Sequence, residues 1–182
     1  MILTDREIQN LIKKKLISIE PKPSIDAYDS TAVDLTLDPL IRVFRSGTEG
    51  LIIDPSAPGY KVTELIRGAT DPVTITDQGW DMPRGKLVLA WTKERVDLNL
   101  KGKVAARVEG KSGLARIGLG VHVTAPTIHA GFPGTIQLEL INHGPMSIKL
   151  RPGMAICQLI IETIKGTPSK AHKSQFAGQK AT

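Results

Sequence analysis

Short runs of alternating apolar and polar residues, separated by turn residues, repeat along most of this 182-residue chain. In the segment TAVDLTLD, Val33, Leu35 and Leu37 fall on one face of an extended strand. Asp34 and Thr36 fall on the other face. Many short strands with frequent Gly, Pro, Asn or Asp turns are typical of an all-β sandwich or barrel. The further predicted strands are LIRVFR, GLIID, VTIT, KLVLAWT, KVAARV, GVHVTA, TIQLELIN, SIKL and MAICQLIIETI.

One helix is predicted, at the N-terminus. Thr4 as N-cap and Glu7 three residues later form a capping-box pattern. Helical spacing of the following apolar residues predicts a helix over about 5–16. The sequence offers no convincing second helix long enough for a βαβ crossover, which argues against a parallel α/β sheet. The first ten residues, MILTDREIQN, turn polar too early for a signal peptide.

The length and composition fit one globular domain, which we assign to residues 1–165, followed by a polar and basic tail over 166–182. Cys157 is the one cysteine, so no internal disulfide can form and a cytoplasmic location is expected. No apolar run is long enough to span a bilayer, so no membrane partner is expected.

The formal net charge of +6 favours an anionic partner. Aromatic residues make up only 4% of the chain, whereas proteins that bind single-stranded nucleic acid usually stack bases on several aromatic side chains. The low aromatic content therefore disfavours single-stranded nucleic acid, and the anionic partners that composition leaves open include a membrane surface and a phosphorylated metabolite; no nucleic-acid partner is expected.

The segment VEGKSGLARIGLGVH, residues 108–122, interrupts the strand patterns with four glycines. Ser112 is a suitable N-cap and Gly118 a suitable stop for a short helical turn between them. Backbone amides at the start of such a turn favour an anion, especially phosphate, and Ser112 and Arg116 would share one face. The local sequence equally allows a capped connector whose Arg116 meets solvent.

A second candidate lies in TIQLELIN, residues 135–142. Alternation places Ile136, Leu138 and Leu140 toward the core. Gln137 and Glu139 then face the other way, together with Thr135 and Ile141. Apolar neighbours would desolvate the Glu139 carboxylate and raise its pKa toward that of a useful general base. The competing interpretation is a surface glutamate on a half-exposed sheet, which the residue type alone favours.

The sequence predicts no resident metal site. The four histidines show no metal-binding spacing, and the zinc nucleobase deaminase signature is absent. Cys157, inside the apolar run MAICQLII, is expected to be a small buried thiol rather than a nucleophile.

Taken together, VEGKSGLARIGLGVHVTAPTIHAGFPGTIQLELIN and the later LRPGMAICQLI resemble the dCTP deaminase family, which shares its fold with the trimeric dUTPases. TAVDLTLD and ILTDREI look like that superfamily's first motif and the family's start. The resemblance implies a mainly β, dUTPase-like distorted β-barrel or jelly-roll-like fold with a short N-terminal helix and a few small helices. It also implies a homotrimer whose active sites lie between subunits.

The family resemblance further implies hydrolytic deamination of dCTP to dUTP and ammonia, without zinc and with Mg²⁺ bound to the substrate triphosphate. It assigns water activation and proton shuttling to Glu139, and the holding of water and base to Ser112 and Arg116. Inhibition by dTTP is a family expectation. The residues implied in nucleotide binding are Lys111, Ser112, Gly113, Leu114, Ala115, Arg116, Thr124, His129, Gln137, Leu138, Gln158, Phe176 and Gln179.

Several positions depart from the family pattern. Lys111 and Gly113 stand where the family usually has Arg and Ser, and His129 replaces an Asp that binds the deoxyribose in deaminases or serves the attacking water in dUTPases. In the tail, Gln175 and Phe176 replace Lys and Tyr. Two alternatives stay open: a dUTP diphosphatase or bifunctional enzyme, and a non-catalytic nucleotide-binding module.

Overall fold

Antiparallel strands make up most of the computed structural model, which describes residues 1–169, and the mainly β prediction is confirmed. The strands are β1 (Ile17–Glu20), β2 (Tyr28–Asp29), β3 (Ala32–Phe44), β4 (Thr70–Thr74), β5 (Trp80–Met82), β6 (Leu87–Leu98), β7 (Val104–Gly110), β8 (Leu119–Gly120), β9 (Thr127–Ile128), β10 (Pro133–Asn142), β11 (Ile148–Leu150) and β12 (Ala155–Thr163). The α-helices are α1 (Asp5–Lys13), α2 (Val62–Ala69) and α3 (Ser112–Arg116), and short 3₁₀ turns cover Ile25–Ala27, Thr48–Gly50 and Leu100–Gly102.

The long strand β3 joins the two halves of one ten-stranded sheet. Seven of its strands follow the order β8-β10-β6-β3-β12-β7-β9, while β1 pairs with β6, and β2 and β4 pair with β3. The first half of β3 pairs with β12, and its second half pairs with β4 and β6. The β3–β6 register shifts between Leu37 and Ile41, and irregularities of this kind bend strands and increase their twist. A separate two-stranded sheet pairs β5 with β11.

Helix α1 has the expected start but an earlier end. The Thr4 backbone N–H donates to the Glu7 carboxylate over 3.0 Å, so the capping box is confirmed. The predicted extent to residue 16 is wrong because Lys15 adopts a left-handed φ of 57°. That conformation cannot continue a right-handed helix.

Two predicted strands differ from the structure, and one helix was not predicted. GLIID forms no strand, because Leu51, Ile52 and Ile53 pair with no strand among the described residues and are 62%, 99% and 50% exposed. GVHVTA contributes to a strand only at its first residue, since β8 ends at Gly120. The sequence analysis missed α2, although its apolar residues recur with helical spacing.

The main core lies between the curled halves of the sheet and takes one face of each long strand. On β10, Ile136, Leu138 and Leu140 are 3%, 1% and 0% exposed, as the alternation predicts. Each such side chain contributes about 1.5–3 kcal/mol by burial, so the register of β10 is strongly held. The intervening residues, Glu139 among them, therefore face away from this core. No helix in the part of the chain described here is long and apolar enough to cross a bilayer.

Candidate active site

The glycine-rich segment after β7 forms α3, as predicted, but its cap differs. Lys111, not Ser112, occupies the N-cap position, and Ser112 is the first helical residue. Because Lys111 has extended dihedrals and Ser112 already has helical ones, the predicted Ser112 cap is wrong by one residue. Gly118 ends the turn at a φ of 95°, as expected of a C′ glycine.

Gly118 also allows α3 to lie against the loop that follows β10. A Cβ placed on Gly118 would lie 2.2 Å from the backbone nitrogen of Gly144. The backbone N–H of His143 donates to the Gly118 carbonyl over 2.8 Å. The glycine therefore fixes the position of α3 relative to the strand that carries Glu139.

The polar side chains of α3 face solvent. Ser112 and Arg116 are exposed, whereas Leu114 packs against the main core. Within residues 1–169, neither Ser112 nor Arg116 forms a side-chain hydrogen bond or ion pair. The described chain thus leaves both polar side chains available to a ligand.

Lys111 points back from α3 to β3 and forms an ion pair there. Its Nζ lies 2.5 Å from Asp34 Oδ2, with the two side chains 28% and 21% exposed. Gln158 of β12, which lies opposite Asp34 in the register, donates from Nε2 to Asp34 Oδ1 over 3.4 Å. Two predicted nucleotide-binding residues, Lys111 and Gln158, therefore meet at one carboxylate that the sequence analysis had not selected as a site residue.

Beside this ion pair a cleft of ≈ 380 Å³ opens, lined by Asp34, Thr36 and Glu94 together with Lys22 and Lys93. Glu94 is 6% exposed, and its two carboxylate oxygens accept from the Thr36 backbone N–H and hydroxyl over 2.8 and 2.7 Å. Buried carboxylates need such partners. The predicted strand KLVLAWT ends at Thr92, so Glu94 was placed on no strand face and was not selected as a site residue.

Glu139 lies on the face of β10 opposite the core, as predicted, and is half-buried there. Burial raises the pKa of its carboxyl above the ordinary value, while a hydrogen bond from the Val123 backbone and the nearby His122 charge partly offset that rise. Half burial of Glu139 is compatible with a glutamate on a half-exposed sheet, while the raised pKa distinguishes it from an ordinary surface carboxylate. A carboxylate with a raised pKa is suited to accept a proton.

A charged cluster missed by the sequence analysis extends from Glu139 across β7. His122 Nε2 lies 3.9 Å from Glu109 Oε2. Arg107 connects Glu109 to Glu162, with nitrogen–oxygen distances of 3.5 and 3.2 Å. The signal was available, because Glu109 and His122 both belong to the segment VEGKSGLARIGLGVH.

The other predicted residues have varied surroundings. Gln137 is half-buried on the same face as Glu139, Leu138 is 1% exposed in the core, and Thr124 and His129 are exposed. Leu138 can therefore contact a ligand only through its backbone. Phe176 and Gln179 lie outside the described residues.

The single chain does not bring all three predicted catalytic residues into contact. Arg116 is not among the charges that act on Glu139, and the part of the chain described here shows no ion pair between them. Ser112 and Arg116 lie together on α3, whereas Glu139 lies with Val123 and His122. The close approach of Gly118 to Gly144 holds α3 against the loop after β10, and in this way connects the two groups.

The chemistry of a resident zinc ion does not fit Cys157. This cysteine is fully buried on β12, and burial raises the pKa of its thiol far above the ordinary value. Zinc binds the thiolate form, which such an environment disfavours. No cluster of three or more His, Cys, Asp or Glu residues able to hold a metal ion occurs among residues 1–169.

Comparisons with known proteins identify the family of this chain and agree with its fold. Residues 2–164 match the sequence model of a family described as dCTP deaminase-like. The dCTP deaminases of Shewanella amazonensis and Histophilus somni are 39% and 36% identical to this chain, over 96% of this chain and 90% of each relative. A crystal structure of 2′-deoxycytidine 5′-triphosphate deaminase from Agrobacterium tumefaciens superposes with a TM-score of 0.67 at 22% identity. That alignment covers 88% of this chain, which spans 47% of the solved chain, and it supports the fold.

Proposed function

The chain belongs to the dCTP deaminase-like family, and from this premise we propose that it deaminates dCTP hydrolytically to dUTP and ammonia, supplying deoxyuridine nucleotide for dTTP synthesis. The observation that carries the proposal is Glu139. It is a half-buried carboxylate on β10, between the buried residues Leu138 and Leu140, and its pKa is raised by burial. A general base needs this combination of a fixed position and a pKa brought toward the working pH.

In the proposed reaction, the Glu139 carboxylate takes a proton from a water molecule as the water oxygen attacks C4 of the cytosine. The resulting tetrahedral carbon carries both the new hydroxyl and the amino group. Glu139 delivers the water proton to N3 as the C4=N3 double bond opens, and then moves the hydroxyl proton to the amino nitrogen. The C4–N bond breaks, and ammonia leaves as the hydroxyl oxygen becomes the carbonyl oxygen of uracil. Water and dCTP are thus converted to dUTP and ammonia with no oxidant or reductant.

Ser112 and Arg116 are proposed to hold the water and the base during this attack. Their exposure on α3, without partners among residues 1–169, supports such a role. Because they do not contact Glu139 within one chain, we propose that a homotrimer completes each active site with residues from neighbouring subunits. A guanidinium near the reacting carbon would stabilise negative charge as it develops there.

The triphosphate is proposed to bind at Lys111, the start of α3 and Gln158, with Mg²⁺ arriving as part of the substrate. The Lys111–Asp34 ion pair means that phosphate must compete with Asp34 for the ammonium group. We also propose that the tail over 166–182 closes over the nucleotide. Inhibition by dTTP and a cytoplasmic location are further proposals.

The test is incubation of the purified protein with dCTP, dUTP, dCMP and 5-methyl-dCTP in the presence of Mg²⁺, with nucleotides separated by chromatography and ammonia measured. We expect ammonia and dUTP in equal amounts from dCTP. Pyrophosphate release from dUTP would instead indicate a diphosphatase or bifunctional enzyme. Nucleotide binding without any product would indicate a non-catalytic module, and either result without ammonia would overturn the proposal.

A further inference from the structure

Trp91 of β6 lies beside the proposed base-binding face. In the β6–β10 register, Trp91 is opposite Gln137, and Leu89 is opposite Glu139. Directly opposed residues of antiparallel strands share a face, and residues two apart on a strand do so as well. Trp91 is therefore on the same side of the sheet as Gln137 and Glu139, whereas its neighbour Ala90 belongs to the main core.

The indole of Trp91 is buried, and its N–H has no acceptor among residues 1–169. The residue is 3% exposed, and Nε1 is fully buried with no hydrogen-bond partner in that part of the chain. Buried tryptophan N–H groups usually find an acceptor, because leaving a buried donor unpaired costs free energy. Such a group in a native protein needs an explanation, and its neighbourhood suggests one.

Two other buried side-chain nitrogens in the described chain also lack hydrogen-bond partners, Nδ1 of His122 and Nε of Arg107. The Arg107 nitrogen lies 3.5 Å from Glu109 in an ion pair. His122 is the residue whose charge acts on Glu139. Among residues 1–169, His122 thus brings a second buried nitrogen without a hydrogen-bond partner to the surroundings of Glu139.

We propose that Trp91 is a positioning residue of the pyrimidine site and that its indole N–H donates to the ring carbonyl oxygen of the bound nucleotide. This inference rests on the proposed function. Cytosine offers hydrogen-bond acceptors at its O2 and N3 edge and a donor at its amino group. Glu139 can pair with the amino donor, so a neutral N–H on the same face is the complementary partner for the carbonyl.

Charge supports a base rather than a phosphate at this position. The adjacent Glu139 carboxylate would repel a phosphate group, whereas it does not oppose an uncharged ring. The O2 carbonyl is present in both cytosine and uracil. The Trp91 contact should therefore serve dCTP and dUTP alike, and it would fix orientation without taking part in the chemistry.

The kinetic test is Trp91→Phe, which keeps an aromatic ring and removes the donor. We expect the KM for dCTP to rise about three- to tenfold, the range of one neutral hydrogen bond, with kcat changed less than about twofold. The melting temperature should not fall, because the variant removes an unpaired buried donor. A role in packing alone predicts the reverse pattern, with lower stability and an unchanged KM, and would overturn the inference.

A spectroscopic test uses the fact that the chain has two tryptophans. Trp80→Phe, on β5 of the separate sheet, leaves Trp91 as the sole indole. Emission from that variant should shift to longer wavelength when dCTP or dUTP binds, since a hydrogen bond to the indole N–H stabilises its excited state. Trp91→Phe, which retains Trp80, is the matched control and should show no shift.

The outcomes separate this inference from the proposed function. Normal ammonia release by the wild type, with no emission shift and no KM effect in Trp91→Phe, overturns the Trp91 contact alone. An emission shift on nucleotide binding without ammonia release supports the contact and overturns the proposed reaction. Failure of the protein to bind any of these nucleotides overturns both.

Discussion

Asp34 and Glu139 are two partly buried carboxylates on polar strand faces, and their partners differ. Asp34 lies 2.5 Å from the Lys111 ammonium and also accepts from Gln158. Among residues 1–169, Glu139 has a backbone hydrogen bond from Val123 and the His122 charge, with no ion pair. A carboxylate neutralised by a cation holds structure together, whereas a desolvated one without such a partner is a better proton acceptor.

The largest effect that this comparison predicts is the loss of turnover in Glu139→Gln. The amide keeps the shape but cannot accept the proton from water, so ammonia release from dCTP should fall at least about a thousandfold. Nucleotide binding, measured by calorimetry, should persist. Glu64→Gln is the control, because Glu64 is an exposed carboxylate on α2 paired with Lys61. Near-normal turnover in Glu139→Gln would mean that another group is the base.

Removal of the Lys111 ammonium group should affect the binding of dCTP more than the rate of deamination. In Lys111→Ala, loss of a charge-assisted contact to the triphosphate should raise the KM for dCTP about ten- to a hundredfold, with a smaller change in kcat. Steady-state kinetics measures this. Lys149→Ala is a matched control because Lys149 forms a similar ion pair, with Asp81 at 2.6 Å, on the separate sheet. Equal effects of the two variants would contradict the assignment.

Asp34→Asn alters the other member of the Lys111–Asp34 ion pair and tests the comparison further. It removes the charge that competes with phosphate for Lys111, so KM should not rise and kcat should stay within about twofold. The lost ion pair should lower the free energy of unfolding by about 1 kcal/mol, measurable by urea denaturation. A loss of turnover as large as that of Glu139→Gln would show that the two carboxylates do not differ in role.

The pH dependence of kcat should report the desolvation of Glu139. The base must be ionised, so kcat falls as the pH drops through the pKa of Glu139. Because burial raises that pKa, the midpoint of the acid limb should lie above the ordinary glutamate value of about 4.3. An acid limb at or below that value, measured by ammonia release across a buffer series, would contradict a desolvated base.

The stability of the folded protein should depend on pH because the pKa of Glu139 is raised. A carboxyl whose folded pKa is raised favours the folded state when protonated, and this contribution is lost as the pH rises through the folded pKa. At pH 7.5, Glu139→Gln should therefore melt at a slightly higher temperature than the wild type. The difference should disappear near pH 4, where the wild-type carboxyl is protonated. Calorimetric melting at both pH values checks this, and a lower melting temperature at pH 7.5 would count against it.

The smallest effect is expected at His122. Its charge lowers the pKa of Glu139, so His122→Asn should move the acid limb of kcat upward. His143→Asn is a suitable control because His143 is exposed in the loop after β10. A downward shift in the His122 variant would show that the imidazole acts on Glu139 in the opposite sense.

The sequence predicted those features that depend on local pattern. The alternation along β10 correctly separated Leu138 from Glu139, and the capping box at Thr4 and the stop at Gly118 were also confirmed. The apolar spacing within α2 was equally readable but was missed. The strand prediction for GLIID failed because a strand needs a bonding partner, and pairing depends on the whole fold.

The partnerships within the site could not be predicted in this way. The meeting of Asp34 with Lys111 requires strands that are far apart in the chain, 77 residues in this case. The same holds for Trp91, which comes opposite Gln137 only through the β6–β10 register. The spacing of residues along a strand indicates which face they occupy, whereas the pairing of strands decides what they contact.

The most direct test of the difference between the two carboxylates is a ¹³C NMR titration of the Glu139 side-chain carboxyl in protein labelled at glutamate. Its resonance is assigned by its disappearance in Glu139→Gln. We predict a midpoint for Glu139 in the nucleotide-free protein clearly above the ordinary glutamate value of about 4.3. A Glu139 midpoint at or below that ordinary value would contradict the account of Glu139 as a desolvated base.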